Sequence, residues 1–403
     1  MSLEVNYPSI EGAQCPYDVY AYWQESAPVY QIPDHPNWYV VSRYEDILRI
    51  LRTPELFSSV GSRGRMAQVD GNLGNTKRVE GLTMIDSDAP AHRPKRRLVS
   101  LMFTPGRLRG YEPVIRKLVD ELIDAFIDEH EIEFISAFAA PLPVRVTSAL
   151  FGIPREDENW IHEWGQLEAS GFPWMPKDRQ EHQVANGQRM SQYLRQMLIE
   201  RVEQPRDDIY SKIIEEQIRV DGNLDLDYVL AQVGVITAGG VITTAHAVGS
   251  TMLLLLENPE LMASIAGDHS RIPRMFEESI RLESPVQWVP RIVVQDTQIA
   301  GVDLPAGAHV LMMFGSANRD ENQWTCPAQF DPDRSDVFDH LAFGNGEHYC
   351  LGAQLARLEG RVAFEQIFKR LTNIQLAAGN SFPHIPSPSF RGLKELHVTF
   401  DKA

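Results

Sequence analysis

The sequence predicts a mainly α protein of the α+β kind, a single domain at 1–403 with small sheets dispersed along the chain. Three observations carry that expectation. Helical periodicity dominates from about 92 to 285 and returns from about 352 to 371. Strand-like alternation is confined to about 28–42, 290–315 and 373–402. No repeat, low-complexity tract or linker divides the 403 residues, and a chain of that length can bury one large core.

Taken in order, Pro28–Ile32 and Trp38–Ser42 read as two strands across a PDHPN turn, and Tyr44 to Arg52 as a helix. Residues 57–85 are rich in Gly and polar groups without periodicity, and so long a loop in a compact protein usually serves function. SGFPWMPKD, near 170–178, breaks the helical region. From Val229 to Leu256, 28 residues pass without Asp, Glu, Lys or Arg, which is enough to span a bilayer. The stretch nevertheless carries Gln232, His246, four Gly and four Thr, and acidic segments flank it in place of Lys/Arg anchors. It reads as a core helix buried on all sides, about 40 Å long at 1.5 Å per residue. After Pro290, RIVVQDTQIAGVDLPAGAHVLMMF alternates, turns at Gly301 and Pro305–Gly307, and alternates again; NIQLA and ELHVTF add two strands.

Composition excludes several functions. The chain is 43% hydrophobic and 23% charged, hence globular. Its formal net charge of −17 argues against whole-surface attraction to nucleic acid or anionic lipid. MSLEVNYPSIEGAQCPYDVY lacks a basic n-region and an apolar run, so a cytoplasmic location is expected. Cys15, Cys326 and Cys350 form no CxxC pair, in keeping with a reducing compartment.

Cys350 stands apart from the other two. HLAFGNGEHYCLGAQLAR (340–357) puts it in a Gly-rich loop directly before an amphipathic helix, where N-terminal amides stabilise a thiolate and a thiolate binds metal. Gly344, Gly346 and Gly352 permit tight turns and close approach of backbone to something flat and bulky. The spacing FGxGxHxCxG resembles the haem-binding signature of the cytochrome P450 family, with Phe343 at its start and Cys350 at the axial ligand. Other motifs agree in order and cover about residue 84 to the end. Glu278-Ser-Ile-Arg281 resembles the family's ExxR pair, two side chains on one helix face, and Arg334 in QFDPDRSD resembles its partner. His92 and Arg96, Arg291 and His348 match residues that hold the haem propionates.

The resemblance implies a triangular-prism fold, haem b as cofactor, and O2 activation with NAD(P)H electrons from an external ferredoxin or flavodoxin type donor. It implies hydroxylation or demethylation of a small to medium apolar substrate by a monomer, without nucleic acid or membrane. Ala238-Gly239-Gly240-Val241-Ile242-Thr243-Thr244 falls on the family's oxygen-handling motif, where Gly opens a groove and an acid and Thr relay protons. Aligned through Asn258-Pro259, Thr243 takes the Thr position with Thr244 beside it, but the acid's place holds Ile242, which can neither donate a proton nor order water. Three explanations stay open: water held by Thr243, Thr244 or His246; a locally shifted register; or an atypical, peroxide-driven or non-hydroxylating reaction. A haem protein that only binds ligands is the rival outside enzymes. On its own, His246 reads as a satisfied core histidine.

Between His92 and Lys117 stand eight Lys/Arg (Arg93, Lys95, Arg96, Arg97, Arg107, Arg109, Arg116, Lys117) against Glu112, continued by Arg357 and Arg361; this basic face would steer an acidic electron donor. By region, the expected substrate pocket comprises Arg63, Arg65, Met66, Trp164, Phe172, Trp174, Val235, Ile242, Val286, Gln287, Trp288, Val289 and Phe390.

Overall fold

The computed structural model describes residues 8–9, 11–62, 82–165 and 177–403. Near the N-terminus, α1 (Tyr17–Ser26) leads into the hairpin β1 (Val29–Gln31) and β2 (Trp38–Val41) and into α2 (Tyr44–Arg52), whose apolar stripe Ile47, Leu48, Ile50 and Leu51 is buried. β3 (Phe57–Ser58) follows. The helical region holds α3 (His92–Ser100), α4 (Pro105–Asp124), α5 (Pro141–Phe151), α6 (Glu158–Gly165), α7 (Lys177–Glu203), α8 (Ile209–Asp221), α9 (Leu226–Leu256), α10 (Pro259–Gly267) and α11 (Ile272–Leu282). One strand that the helical pattern concealed interrupts it: β4, Glu131–Glu133, joins the C-terminal strands.

β5 (Val289–Val293), β6 (Thr297–Ile299), β7 (Val302–Leu304) and β8 (His309–Met312) come next, then α12 (Phe314–Ala317), α13 (Ala353–Arg370), β9 (Leu371–Leu376) and β10 (His397–Lys402). The largest sheet runs β1-β2-β8-β5-β3, with β2 and β8 parallel and Trp38 opposite His309; a second runs β4-β10-β9, and β6 pairs with β7. Two apolar cores result. One lies among the helices around Val248, Met252 and Phe364, the other between the large sheet, α1 and α2 around Trp23, Val40 and Leu311.

α9 is the axis of the helical core. Asp225 caps it, accepting a bond from the Tyr228 amide at 3.0 Å. Among the described residues it is the one helix long and apolar enough to cross a membrane, and it is spent on packing against α5, α7, α11 and α13. The expectation of burial on every side fails in its middle. Gly239 is exposed, and Val235, Ile242 and Thr243 are half-buried, because this face borders a cavity.

Candidate functional site

The cavity has a volume of about 560 Å³ and lies where the two cores meet. Trp288 and Phe314 line it from the sheet side, Phe276 and Leu355 from the helical side. Its floor is the loop before α13. Gly344 and Gly346 adopt left-handed conformations there (φ 69° and 72°), which residues with a Cβ rarely take; a Cβ on Gly346 would also meet the Leu51 carbonyl oxygen at 2.9 Å. Gly352 has φ −81° and lies against the cavity without the special backbone that the sequence suggested. The turn closes where the Cys350 amide donates to the Phe343 carbonyl at 2.8 Å, setting Cys350 against the cavity.

Burial pushes the Cys350 thiol up, while the amides of Gly352 and Ala353 and the guanidiniums of Arg96 and Arg357 pull it down. The expected stabilisation by helix amides is therefore present but outweighed in the protein alone. A cation bound at the sulfur would reverse that balance.

Around the floor, α3 brings His92 and Arg96 together with His348 and Arg291 of β5 at the cavity wall. The rings of His92 and His348 lie 4.4 Å apart, and Arg96 is tied to the floor loop by its Nη2 donating to the Tyr349 carbonyl at 2.6 Å. His348 Nε2 lies 3.1 Å from Ser59 Oγ, and Glu347 Oε2 lies 4.0 Å from His92 Nδ1. His92 is only 2% exposed, yet its Nε2 has no partner, an orphaned donor or acceptor at the edge of the cavity. Orphaned imidazole nitrogen, two guanidiniums and a second imidazole are the chemistry that buried carboxylates require. The donor set therefore fits a macrocycle that carries two carboxylates, with Cys350 available to ligate its metal.

Beneath the floor, α11 supplies a buried network. Glu278 accepts from Arg281 Nε and Nη2 at 2.7 and 2.8 Å, from Arg334 Nε at 2.8 Å and from the Asp331 amide at 3.0 Å. Arg281 also donates to the carbonyls of Asn318, Pro327 and Gln329, so it pins the segment that precedes the floor loop. A second network escaped sequence reasoning. Glu277 accepts from Arg357 Nε and Nη2 at 2.6 and 2.8 Å and lies 3.0 Å from His340 Nε2. Despite the upward push of burial, those partners hold its carboxyl below the ordinary range. Arg357 also covers the Phe343 ring at 4.6 Å and donates to the Tyr349 hydroxyl at 3.0 Å. The EE doublet before the ExxR arginine was the available signal.

The roof is α9. Gly239, Gly240, Thr243 and Thr244 all line the cavity, and Thr243 Oγ1 donates to the Gly239 carbonyl at 2.9 Å, one turn back. A Cβ on Gly240 would approach Thr147 Oγ1 to 3.1 Å, whereas Gly239 has open space. Ile242 lines the cavity, and among the described residues no Asp or Glu of α9 joins it there. Glu359 of α13 is a cavity residue that the sequence did not single out: fully buried with Oε2 unpartnered, it is pushed up to about 8 by burial.

Val235, Val286, Val289, Trp164, Trp288 and Phe390 line the cavity as expected, and Val286 bridges to Phe390. Trp288 offers little surface, being 3% exposed with Nε1 bonded to the Pro388 carbonyl at 2.7 Å. Gln287 is no pocket residue: its amide points the other way, accepting from Tyr20 and donating to the Ser284 carbonyl at 2.6 Å, packed on Gly315. Arg63, Arg65, Met66, Phe172 and Trp174 lie outside the described residues.

The basic face is narrower than the sequence suggested. Lys95 is buried against Ser87 Oγ at 2.7 Å, Arg96 serves the cavity, Arg357 is held by Glu277, and Arg116 and Arg361 share Glu112 and Glu365. Arg93, Arg97, Arg107, Arg109 and Lys117 remain exposed, Lys117 with Glu121 3.8 Å away.

Comparison with known proteins agrees with this geometry. The family description "Cytochrome P450" matches residues 24–389. The Biotin biosynthesis cytochrome P450 of Bacillus subtilis (strain 168) is 30% identical over 405 residues, covering 100% of both chains. A Steroid C26-monooxygenase of Mycobacterium tuberculosis (strain ATCC 25618 / H37Rv) is 32% identical over 94% of this chain and 92% of its own. The crystal structure of P450BioI in complex with hexadec-9Z-enoic acid ligated acyl carrier protein superposes with a TM-score of 0.87 at 28% identity, over 97% of this chain and 100% of that one. An apolar cavity floored by a lone cysteine, roofed by a long apolar helix and matched by relatives along the whole chain has one explanation: the chain belongs to the cytochrome P450 family of oxidoreductases.

Proposed function

We propose that the chain holds haem b in this cavity with Cys350 as axial ligand, and oxidises a small to medium apolar organic molecule with O2 and electrons from a separate ferredoxin or flavodoxin type protein. The observation that carries the reading is the placement of Cys350 against an apolar cavity that Gly239 and Thr243 of α9 also line. A haem held by the Cys350 thiolate would supply activation of dioxygen, the sulfur donating electron density to its metal.

The rest is done by side chains of this chain. His92, Arg96, Arg291 and His348 would neutralise the two propionates, and the orphaned Nε2 of His92 gains a partner when they do. Glu278, Arg281 and Arg334 keep the floor loop in register, and Arg357 over Phe343 holds the ring beside the sulfur. Gly239 leaves room for a small molecule above the floor, and the Thr243 hydroxyl, its hydrogen engaged by Gly239, presents lone pairs to a donor in that space. Val235, Val286 and Phe390 exclude water and bind the substrate by contact area. A steroid monooxygenase and a structure with a hexadecenoyl chain among the relatives support an extended hydrocarbon as substrate class. Arg93, Arg97, Arg107 and Arg109 are the exposed cations available to an acidic donor.

The test is spectroscopic first: the reduced, CO-treated protein should show the haem-thiolate absorption band and Cys350→Ser should lose it. A library screen for compounds that displace the iron-bound water by Soret shift then identifies substrates, which must yield oxygenated product with reductant, ferredoxin and O2. A wild-type band of histidine or water ligation defeats the reading.

A further inference from the structure

One wall of the cavity comes from α7, through Asn186, Gly187, Met190, Ser191 and Leu194. At about 100° per residue these five share one helix face, with Asn186 and Ser191 at its edges and Met190 and Leu194 between them. α7 packs on α8 and α9, whereas α13, which follows Cys350, packs on α4, α9 and α11. The α7 face therefore belongs to a different end of the cavity from the floor loop.

Asn186 is the polar group of that face which the protein leaves unused. Its Nδ2 is buried without a partner, and its oxygen accepts from no described residue. Buried amides in native proteins are nearly always bonded. The polar neighbours on α7 are committed elsewhere: Arg189 lies over the Trp160 ring at 4.8 Å, the Tyr193 hydroxyl donates to Asp157 at 2.7 Å, and Arg195 holds Asp227. The residue as a whole is half-buried and lines the cavity. A half-turn about its soft Cβ–Cγ bond exchanges oxygen and nitrogen, so the NH2 group can be brought to the side that the oxygen now holds.

The charged groups of the cavity wall lie elsewhere. His92, Arg96, Arg291, His348 and Glu359 come from α3, β5, the floor loop and α13, and none of the described lining residues of α5, α6, α7 or α9 is acidic or basic. A carboxylate held at Asn186 would be buried without a counter-charge, which is costly, whereas an uncharged carbonyl oxygen needs a single donor. Building on the monooxygenase reading, we propose that Asn186 is a specificity-determining residue: its NH2 group donates to a neutral oxygen of the substrate. The substrate class is then a hydrocarbon, linear or polycyclic, with an uncharged ketone or ester oxygen at the end held by α7. Met190 and Leu194 pack on the hydrocarbon next to that oxygen, and oxidation falls on carbon at the other end. An alkyl end would leave the Asn186 amide unbonded, and this difference sets which way round the molecule enters.

The test titrates the haem-loaded full chain by Soret shift with two pairs of ligands, methyl dodecanoate against dodecyl chloride and a steroid ketone against its parent steroid hydrocarbon. In at least one pair the wild type should bind the oxygenated member about tenfold more tightly, the weight of one neutral hydrogen bond, and that pair identifies the skeleton. Dodecanoate should bind more weakly than its methyl ester. Asn186→Leu should close the gap, losing about tenfold for the oxygenated member and staying within about twofold for the other; a packing defect would weaken both alike. Infrared spectra supply a readout that needs no variant: the carbonyl band of the bound ester or ketone should lie below its position in hexane, as a hydrogen-bonded carbonyl does. No gap in either pair, tighter binding of dodecanoate than of its ester, equal losses in Asn186→Leu, or an unshifted carbonyl band overturns the proposal. A wild type without the thiolate CO band would instead overturn the parent reading.

Discussion

Glu359 turns burial into a measurable pH dependence. The carboxyl lies on α13 at the cavity, is 3% exposed, has Oε2 unpartnered, and burial pushes it from 4.5 to about 8. Because the folded value is the higher one, the native state binds more protons than the unfolded chain between those two pH values, and stability must fall as pH rises through that window. Each step of one pH unit inside it removes about 1.4 kcal/mol, so the loss between pH 5 and pH 8 comes to about 3–4 kcal/mol, a large share of an ordinary 5–15 kcal/mol total. Glu359→Gln keeps the shape and removes the titration. Urea unfolding of both proteins at pH 5, 6, 7 and 8, followed by tryptophan fluorescence, should find the variant nearly equal at pH 5 and more stable by about 3 kcal/mol at pH 8. All other titrations cancel in the difference. A gap that stays constant within about 1 kcal/mol across the series would refute the claim that this carboxyl is held neutral.

Glu278→Gln strands Arg281 and Arg334 in a site where their exposures are 0% and 6%; the cost should be about 3–5 kcal/mol, read from the urea midpoint together with loss of haem retention. Thr243→Ala deletes the hydroxyl above Gly239 and should send reductant to peroxide or water instead of product; unchanged product per NAD(P)H would contradict its assignment. Two helical glycines should respond with opposite signs: Gly110→Ala meets no atom within 4 Å and should stabilise by about 0.5–1 kcal/mol, whereas a Cβ on Gly360 lies 2.5 Å from the Phe276 ring and should destabilise by about 1–3 kcal/mol, both by thermal unfolding.

The parts legible in the sequence were those in which local pattern and long-range partner coincide. The Gly-rich loop before α13 announces Cys350 because its left-handed turns demand Gly wherever the chain folds there. The ExxR pair announces itself because Glu278 and Arg281 share a helix face before any tertiary contact forms. Strand β4 stayed hidden because Glu131–Glu133 has no alternation of its own and becomes a strand only by pairing with β10. The ten cations of the basic face were legible as a count but not as a surface: whether Arg116 and Arg361 are free depends on Glu365, from the same helix as Arg361 and 249 residues from Arg116. Composition sums charge, whereas a partner meets only what folding leaves unpaired.

The same distinction explains why α9 departs from the burial that its composition implied. Its missing charge implied burial on all sides, yet an uncharged helix is also what a dry, apolar cavity requires of its wall, and Gly239 is exposed for that reason. The stripe that runs from Val235 through Ile242 leaves the cavity at His246, where Gly392 packs on the imidazole. The orphaned Nε2 at the end of that stripe is stabilised by nothing in the resting protein. A buried polar atom left without a partner costs about 1–3 kcal/mol, which a leucine at the same position would avoid.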